Sequence, residues 1–373
     1  MSRRRDSWIE GALYALIAGL FFSPWLRDVA AVLLAALLVT EARAEPSRGN
    51  GGRRNLAVAF FLVIHLLSAI FGARPAAALA SLRFYPLGVL LFLGARRLTE
   101  AGRAERLALV LALVVWVLAS DVLGQVVSGG SLLRGLSPVS GRFMGSLAHP
   151  TDVSALPILL PLALAALRAM AWGRLLALVT VVLTGLAAAA SGTRAAWLGL
   201  GIAVFASGWV HERAKLSAAM AVLVFFLTIV VTLPQRGTAA PQRLVSAESY
   251  ARDPRLLQWR AAWALFLEAP VLGHAPHSFR EACAEHAGAA PGSIFARIDL
   301  RAAPYPHNLY LEALAGTGAM GLGAFLLLLA GPFRARRGAG PGSLVRRSAA
   351  ASTATFALVG LVDMSLLKDW VHL

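Results

Sequence analysis

Ala303-Pro304-Tyr305-Pro306-His307-Asn308-Leu309-Tyr310-Leu311-Glu312 decides how this chain is read. It closes a long polar segment and opens a very apolar one, so it sets an imidazole and a carboxamide at the lip of a membrane helix. That helix continues as Ala313-Leu314-Ala315-Gly316-Thr317-Gly318-Ala319-Met320-Gly321-Leu322-Gly323. Glycines at this density let neighbouring backbones approach closely.

The rest of the chain shares this apolar character. Of 373 residues, 58% are hydrophobic and only 14% charged, which excludes a soluble globule of this size. Runs of near-spanning length fall at about 8–23, 28–40, 56–72, 77–94, 106–124, 152–170, 174–190, 195–210, 216–233, 307–330 and 348–366. The expected fold is an all-α polytopic membrane protein of about 11–12 transmembrane helices with one large helical outer loop. It divides into N-terminal helices over 1–124, central helices with an outer-face loop over 125–233, a loop over 234–306, and C-terminal helices over 307–373. Arg3-Arg4-Arg5 before an apolar stretch resembles a signal peptide, but no small-x-small cleavage site follows, so it reads as a first helix that stays. A single cysteine, Cys283, excludes an intramolecular disulfide and argues against a cysteine metal site.

The net charge of +16 is carried almost entirely by arginine. Arg43, Arg48, Arg53 and Arg54, then Arg96, Arg97, Arg103 and Arg106, and later Arg334, Arg336 and Arg337 fall in alternate loops with Arg3 to Arg5. The positive-inside rule places these loops in the cytoplasm, the N-terminus with them and the C-terminus outside. Two segments then face outward, 124–151 and 234–306. In the second, Asp253 as cap, Pro254 at the first position and Pro270 with Gly273 at the end predict a helix near 253–268. Trp259, Trp263 and Phe266 give it an aromatic stripe suited to a membrane interface. A shorter helix is expected near 277–287. There is no fixed-period repeat, no P-loop and no nucleic-acid motif, and arginine-rich loops are a topology signal in such a chain, so nucleic acid is not an expected partner.

The informative side chains are those that topology does not explain. Arg194, in Ser191-Gly192-Thr193-Arg194, stands in a short outer hairpin, where it either snorkels beside Trp197 or clamps an anion with its guanidinium fork. Arg260, between Trp259 and Trp263, either stacks on an indole or binds phosphate. With Arg83, Arg142, Arg252, Arg255, Arg280, Arg297 and Arg301 they make the outer face basic, as an anionic substrate would require. His307 caps or packs in the ordinary case, but imidazole also accepts a proton near neutral pH, and a helix N-terminus favours its neutral form. Asn308 and Glu312, four apart, share a face and are expected to hydrogen-bond one another. His149, His274 and His277 are lesser candidates, and without adjacent carboxylates or thiols the His274/His277 pair is a poor metal site. No cofactor is expected.

Four stretches in order resemble the O-antigen ligase and polymerase superfamily of bacterial envelope glycosyltransferases. They are Ala148-His149-Pro150; Ser191-Gly192-Thr193-Arg194-Ala195-Ala196-Trp197; Arg260 with Trp263 and Pro270-Val271-Leu272-Gly273; and Pro306-His307-Asn308 with Glu312 and Gly318 to Gly321. The resemblance covers about 140–330. It implies a metal-independent, inverting, GT-C-like transferase in the bacterial inner membrane with its site facing the periplasm. The donor would be an undecaprenyl-diphosphate-linked glycan and the acceptor a lipid A–core sugar hydroxyl, with membrane lipids as surroundings. By that analogy Arg194 and Arg260 hold the diphosphate and His307 is the base. Asn308, Tyr305, His149, Arg142, His277 and Arg83 are candidate substrate-binding residues. The chain departs from its relatives at Ala275, where a second glycine often follows Gly273. A polymerase adding to a growing glycan, or a protein O-oligosaccharyltransferase, would use the same chemistry, although no large soluble C-terminal region of the protein-modifying type is seen. A transporter of an anionic lipid or solute is the reading of another class, disfavoured because Asp121, Asp152 and Asp363 lie near span ends and only Glu312 sits inside one.

Overall fold

A computed structural model describes residues 2–44, 52–72, 75, 85–168, 170–210, 254–300, 305–335 and 343–363. These residues are helical apart from turns; the one strand-type contact among them is an isolated bridge between Val139 and Arg142. The helices are α1 (Ser2–Phe22), α2 (Pro24–Ala44), α3 (Gly52–Phe71), α4 (Tyr85–Glu100), α5 (Ala104–Ser128), α6 (Ala155–Leu167), α7 (Gly173–Ser191), α8 (Arg194–Val210), α9 (Pro254–Glu268), α10 (Phe279–Ala289), α11 (Leu309–Ala335) and α12 (Ser343–Val359). A 3-10 turn, Pro150–Ser154, leads directly into α6.

Among the described residues, four helical stretches are long and apolar enough to cross a membrane: Ala104–Ser128, Pro150–Leu167, Gly173–Ser191 and Leu309–Arg334. Leu56–Phe71 and Arg194–Gly208 are shorter apolar helices. Each expected span contains helix except 216–233, which lies outside the described residues, as do 77–84, 364–366, Arg83, Arg252, Asp253 and Arg301; the last helix ends at Val359, short of the expected 366. Both helices expected within 234–306 form, with Pro254 as the first residue of α9.

The chain divides into two compact units. The first comprises 1–48, 89–245 and 332–359. Here α1 packs on α2, α5 on α6 and α7, and α12 on α6 and α8. Leu160, Leu164, Val181, Leu200, Ala203 and Val204 form one buried cluster. The indole of Trp116 donates to Thr180 Oγ1 at 2.7 Å, so α5 and α7 are tied by a polar contact where apolar packing alone is non-directional. At one end Arg97 bonds Asp6 (2.7 Å) and Glu41, and Arg103 bonds Glu10. The N-terminus, the end of α2 and the α4–α5 turn therefore meet, as the arginine bias requires of segments on one side.

The second unit comprises 49–88, 246–331 and 360–373. The small inner face of α9 (Ala261, Ala262, Leu265) packs with Phe279, Ala282 and Cys283 of α10, and with Phe295, Ile298 and Ala315. His286 joins the two loop helices: its Nδ1 donates to the Ala282 carbonyl at 2.7 Å and its Nε2 lies 2.8 Å from Glu268. Partial burial opposes the charged ring, but those two acceptors outweigh it and hold the imidazole above its usual range.

The decisive feature of this unit is a break in α11. Gly318 leaves the helical region (φ 66°, ψ −166°). Backbone groups around the break are satisfied by the loop after α9: His274 and Ala275 N–H donate to the Ala315 and Gly316 carbonyls, and Ala319 and Met320 N–H to those of Pro270 and Val271. The Ser68 hydroxyl lies 2.5 Å from the Leu272 carbonyl and 3.0 Å from that of Gly316. A broken helix in a membrane protein needs such substitutes, because lipid offers none.

Candidate active site

His307 and Asn308 precede the first turn of α11, and the local chemistry explains why the helix begins at Leu309. Asn308 Oδ1 accepts from the N–H groups of Tyr310 and Leu311, each at 3.0 Å, as an N-cap. Its Nδ2 donates to the Leu361 carbonyl at 2.9 Å, and the Leu309 N–H donates to that of Gly360 at 2.7 Å. The expected side-chain bond from Asn308 to Glu312 is therefore replaced, because four orphan amides at a helix start compete better for an asparagine oxygen than a carboxylate one turn on. Glu312 meets Asn308 only through the backbone, its N–H donating to the Asn308 carbonyl at 3.0 Å.

The same bonds bring the segment after α12 to His307. His307 adopts a left-handed conformation (φ 52°), and its Nδ1 stands 3.9 Å from Asp363 Oδ1. The Asp363 side chain is 1% exposed and that of His307 14%. At that separation the pair is electrostatic, and low-dielectric burial strengthens it. Sequence reasoning missed Asp363 as a site residue. The available signal was a carboxylate at the end of the last apolar run, which nothing local connects to His307.

The same unit places the other candidates of its segments. Tyr305 and Pro306 are buried, and Arg260 is exposed on α9. Asn308 and Glu312 are both buried. His277 Nδ1 lies 3.9 Å from Glu312 Oε1, but burial, with His65 adding, pushes its imidazole down to about 4, so at neutral pH this is no ion pair. Both Glu312 oxygens are buried with no hydrogen-bond partner among the described residues.

The first unit holds Arg142, His149 and Arg194. Gly192 ends α7 in a left-handed cap (φ 59°) and α8 starts at Arg194, which is half-buried. Arg142 reaches this hairpin: Nε donates to the Ser191 carbonyl (2.8 Å) and Nη2 to Thr193 Oγ1 (2.7 Å). His149 caps the Pro150 turn, with Nδ1 accepting from the Thr151 N–H at 3.3 Å and its own N–H donating to Asp152 at 2.8 Å. The candidate residues thus fall in two sets, Arg142, His149 and Arg194 in one unit and Arg260, His277, Tyr305, His307 and Asn308 in the other. Among the described residues no three His, Cys, Asp or Glu side chains are grouped to hold a metal ion.

A family model described as O-Antigen ligase matches residues 179–326. This segment belongs to the O-antigen ligase superfamily. The ligase segment contains Arg194, Arg260, His307, Asn308 and Glu312, and it supports an enzyme of the ligase or polymerase type at this coarse level. Arg142, His149 and Asp363 lie outside the matched segment. No curated protein matches the chain.

Proposed function

We propose that the protein moves a glycan from undecaprenyl diphosphate to a sugar hydroxyl of lipid A–core, at the periplasmic face of the inner membrane. The observation that carries the reading is that His307, within the O-antigen ligase segment, faces buried Asp363, which lies beyond that segment. The acceptor hydroxyl attacks the anomeric carbon from the face opposite the diphosphate, the new glycosidic bond forms as the carbon–oxygen bond to phosphate breaks, and the configuration inverts. His307 Nε2 takes the hydroxyl proton, while Asp363 beside Nδ1 stabilises the imidazolium that results. General-base assistance of this kind contributes about 10²–10⁴-fold in rate.

The leaving diphosphate needs positive charge, and Arg194 and Arg260 supply it in this reading through guanidinium forks that match phosphate oxygens. Asn308 keeps His307 at the helix mouth, with the buried Tyr305 two residues before it.

The test is transfer by the purified protein in lipid, given undecaprenyl-diphosphate-linked glycan with or without lipid A–core. A conjugate seen only with lipid A–core is the expected result. A ladder in its absence identifies a polymerase, and no product from any donor glycan rejects the transferase reading.

A further inference from the structure

Arg142 looks from the sequence like one more phosphate ligand, yet its guanidinium is built into the hairpin that carries Arg194. Nε donates to the Ser191 carbonyl at 2.8 Å and Nη2 to Thr193 Oγ1 at 2.7 Å. Thr193 Oγ1 passes the contact on, donating to the Pro150 carbonyl at 2.8 Å, and Thr193 is 3% exposed. The neighbouring Phe143 N–H donates to the Ala190 carbonyl at 3.2 Å, and Gln125 Oε1, fully buried on α5, accepts from Met144 (2.8 Å) and Gly145 (2.9 Å) N–H. The loop before α6 is thus fixed at its base and gripped at the hairpin, and the residue after Thr193 is Arg194.

We infer that Arg142 is a positioning residue for Arg194: with Thr193 it fixes the direction in which the Arg194 guanidinium leaves the start of α8. This rests on the proposed role of Arg194 as a diphosphate ligand. Two physical points favour positioning over direct binding. A planar fork with two directed donors in use defines an angle as well as a distance, which a point charge cannot. Holding the backbone that precedes Arg194 preorganises where its charge starts from, and preorganised charge stabilises an anion more than charge that must reorient. Lysine at 142 keeps the charge and loses the fork, so it separates the two roles.

The experiment measures farnesyl diphosphate binding to the full chain in nanodiscs. Expected results are about tenfold weaker binding for Arg142→Ala and for Thr193→Val, no rescue by Arg142→Lys, and partial rescue by Thr193→Ser. Arg142→Ala/Arg194→Ala should bind no more weakly than Arg194→Ala alone, because Arg142 acts through Arg194. Thermal unfolding run in parallel identifies any variant that fails to fold, and Thr193→Val tests the latch with the Arg142 charge intact. Wild-type binding by Arg142→Ala, full rescue by lysine, or a further tenfold loss in the double variant overturns the inference. Wild-type binding by Arg194→Ala instead rejects the diphosphate role of Arg194, a separable failure.

Discussion

The proposed chemistry rests on His307 and the buried Asp363 that faces it. His307→Ala should lower transfer by at least about 10²-fold, with unfolding temperature unchanged. Asp363→Asn should leave weaker transfer at unchanged unfolding temperature, because the imidazolium formed in the reaction loses its facing carboxylate; single-turnover rates read this. His277 gives a second pH effect. Its folded pKa of about 4 lies below the ordinary histidine value, so the unfolded chain binds more protons between them. The contribution of neutral His277 is therefore complete above about pH 6.5 and is lost as pH falls towards 4. His277→Phe should flatten that acid limb in an unfolding titration. Ala275 is strained: buried, with φ 137°, it occupies backbone space open mainly to glycine. Strain of about 1–3 kcal/mol exceeds the roughly 0.4–1 kcal/mol by which glycine favours the unfolded chain, so Ala275→Gly should stabilise by about 1 kcal/mol in denaturant unfolding.

At the scale of elements, the broken α11 and the loop after α9 depend on each other. A Cβ at Gly318 would lie 2.3 Å from the Val271 carbonyl oxygen, and one at Gly273 would lie 2.4 Å from Gly316 backbone atoms. Neither neighbour is a flexible side chain, so the clash moves backbone. Gly318→Ala should therefore destabilise strongly, by several kcal/mol, since it adds a steric clash to a left-handed strain of about 1–2 kcal/mol. Its transfer activity should fall as well, because the displaced break begins within three turns of His307. Near-native stability of Gly318→Ala would mean that the loop can leave α11 at little cost. The glycines were visible in the sequence as aids to helix packing. Their actual work, opening a helix so that a loop can hydrogen-bond its backbone, was not visible, because no local pattern marks which carbonyls a distant segment will use.

Across the whole chain, the arginine bias yields a topology that a labelling experiment can check. The Arg97, Arg103, Asp6, Glu10 and Glu41 cluster gathers three segments at one end of the first unit. A single cysteine at Ala101, beside that cluster, should resist a membrane-impermeant maleimide in intact cells. One at the exposed Leu132 should react, and Cys283, which is buried, gives a low background. Reaction at Ala101 and protection at Leu132 would invert the orientation and with it the periplasmic reading of the site.

The sequence by itself determined the helical membrane class, since apolar runs too long for strands have their backbone satisfied only as helices in lipid. It also determined the start of α9 at Pro254, the His307-Asn308 opening of α11 and the kinship of the ligase segment, all of which are local patterns. Only the tertiary structure decided that Asn308 caps its helix and ties down the segment after α12, that Asp363 faces His307, and that Arg142 grips the hairpin of Arg194. Periodicity and composition report which face of a segment is apolar. They carry no information on which two polar groups, far apart in the chain, share one buried place, because that is fixed by how backbones pack and by which donors and acceptors remain to be satisfied there.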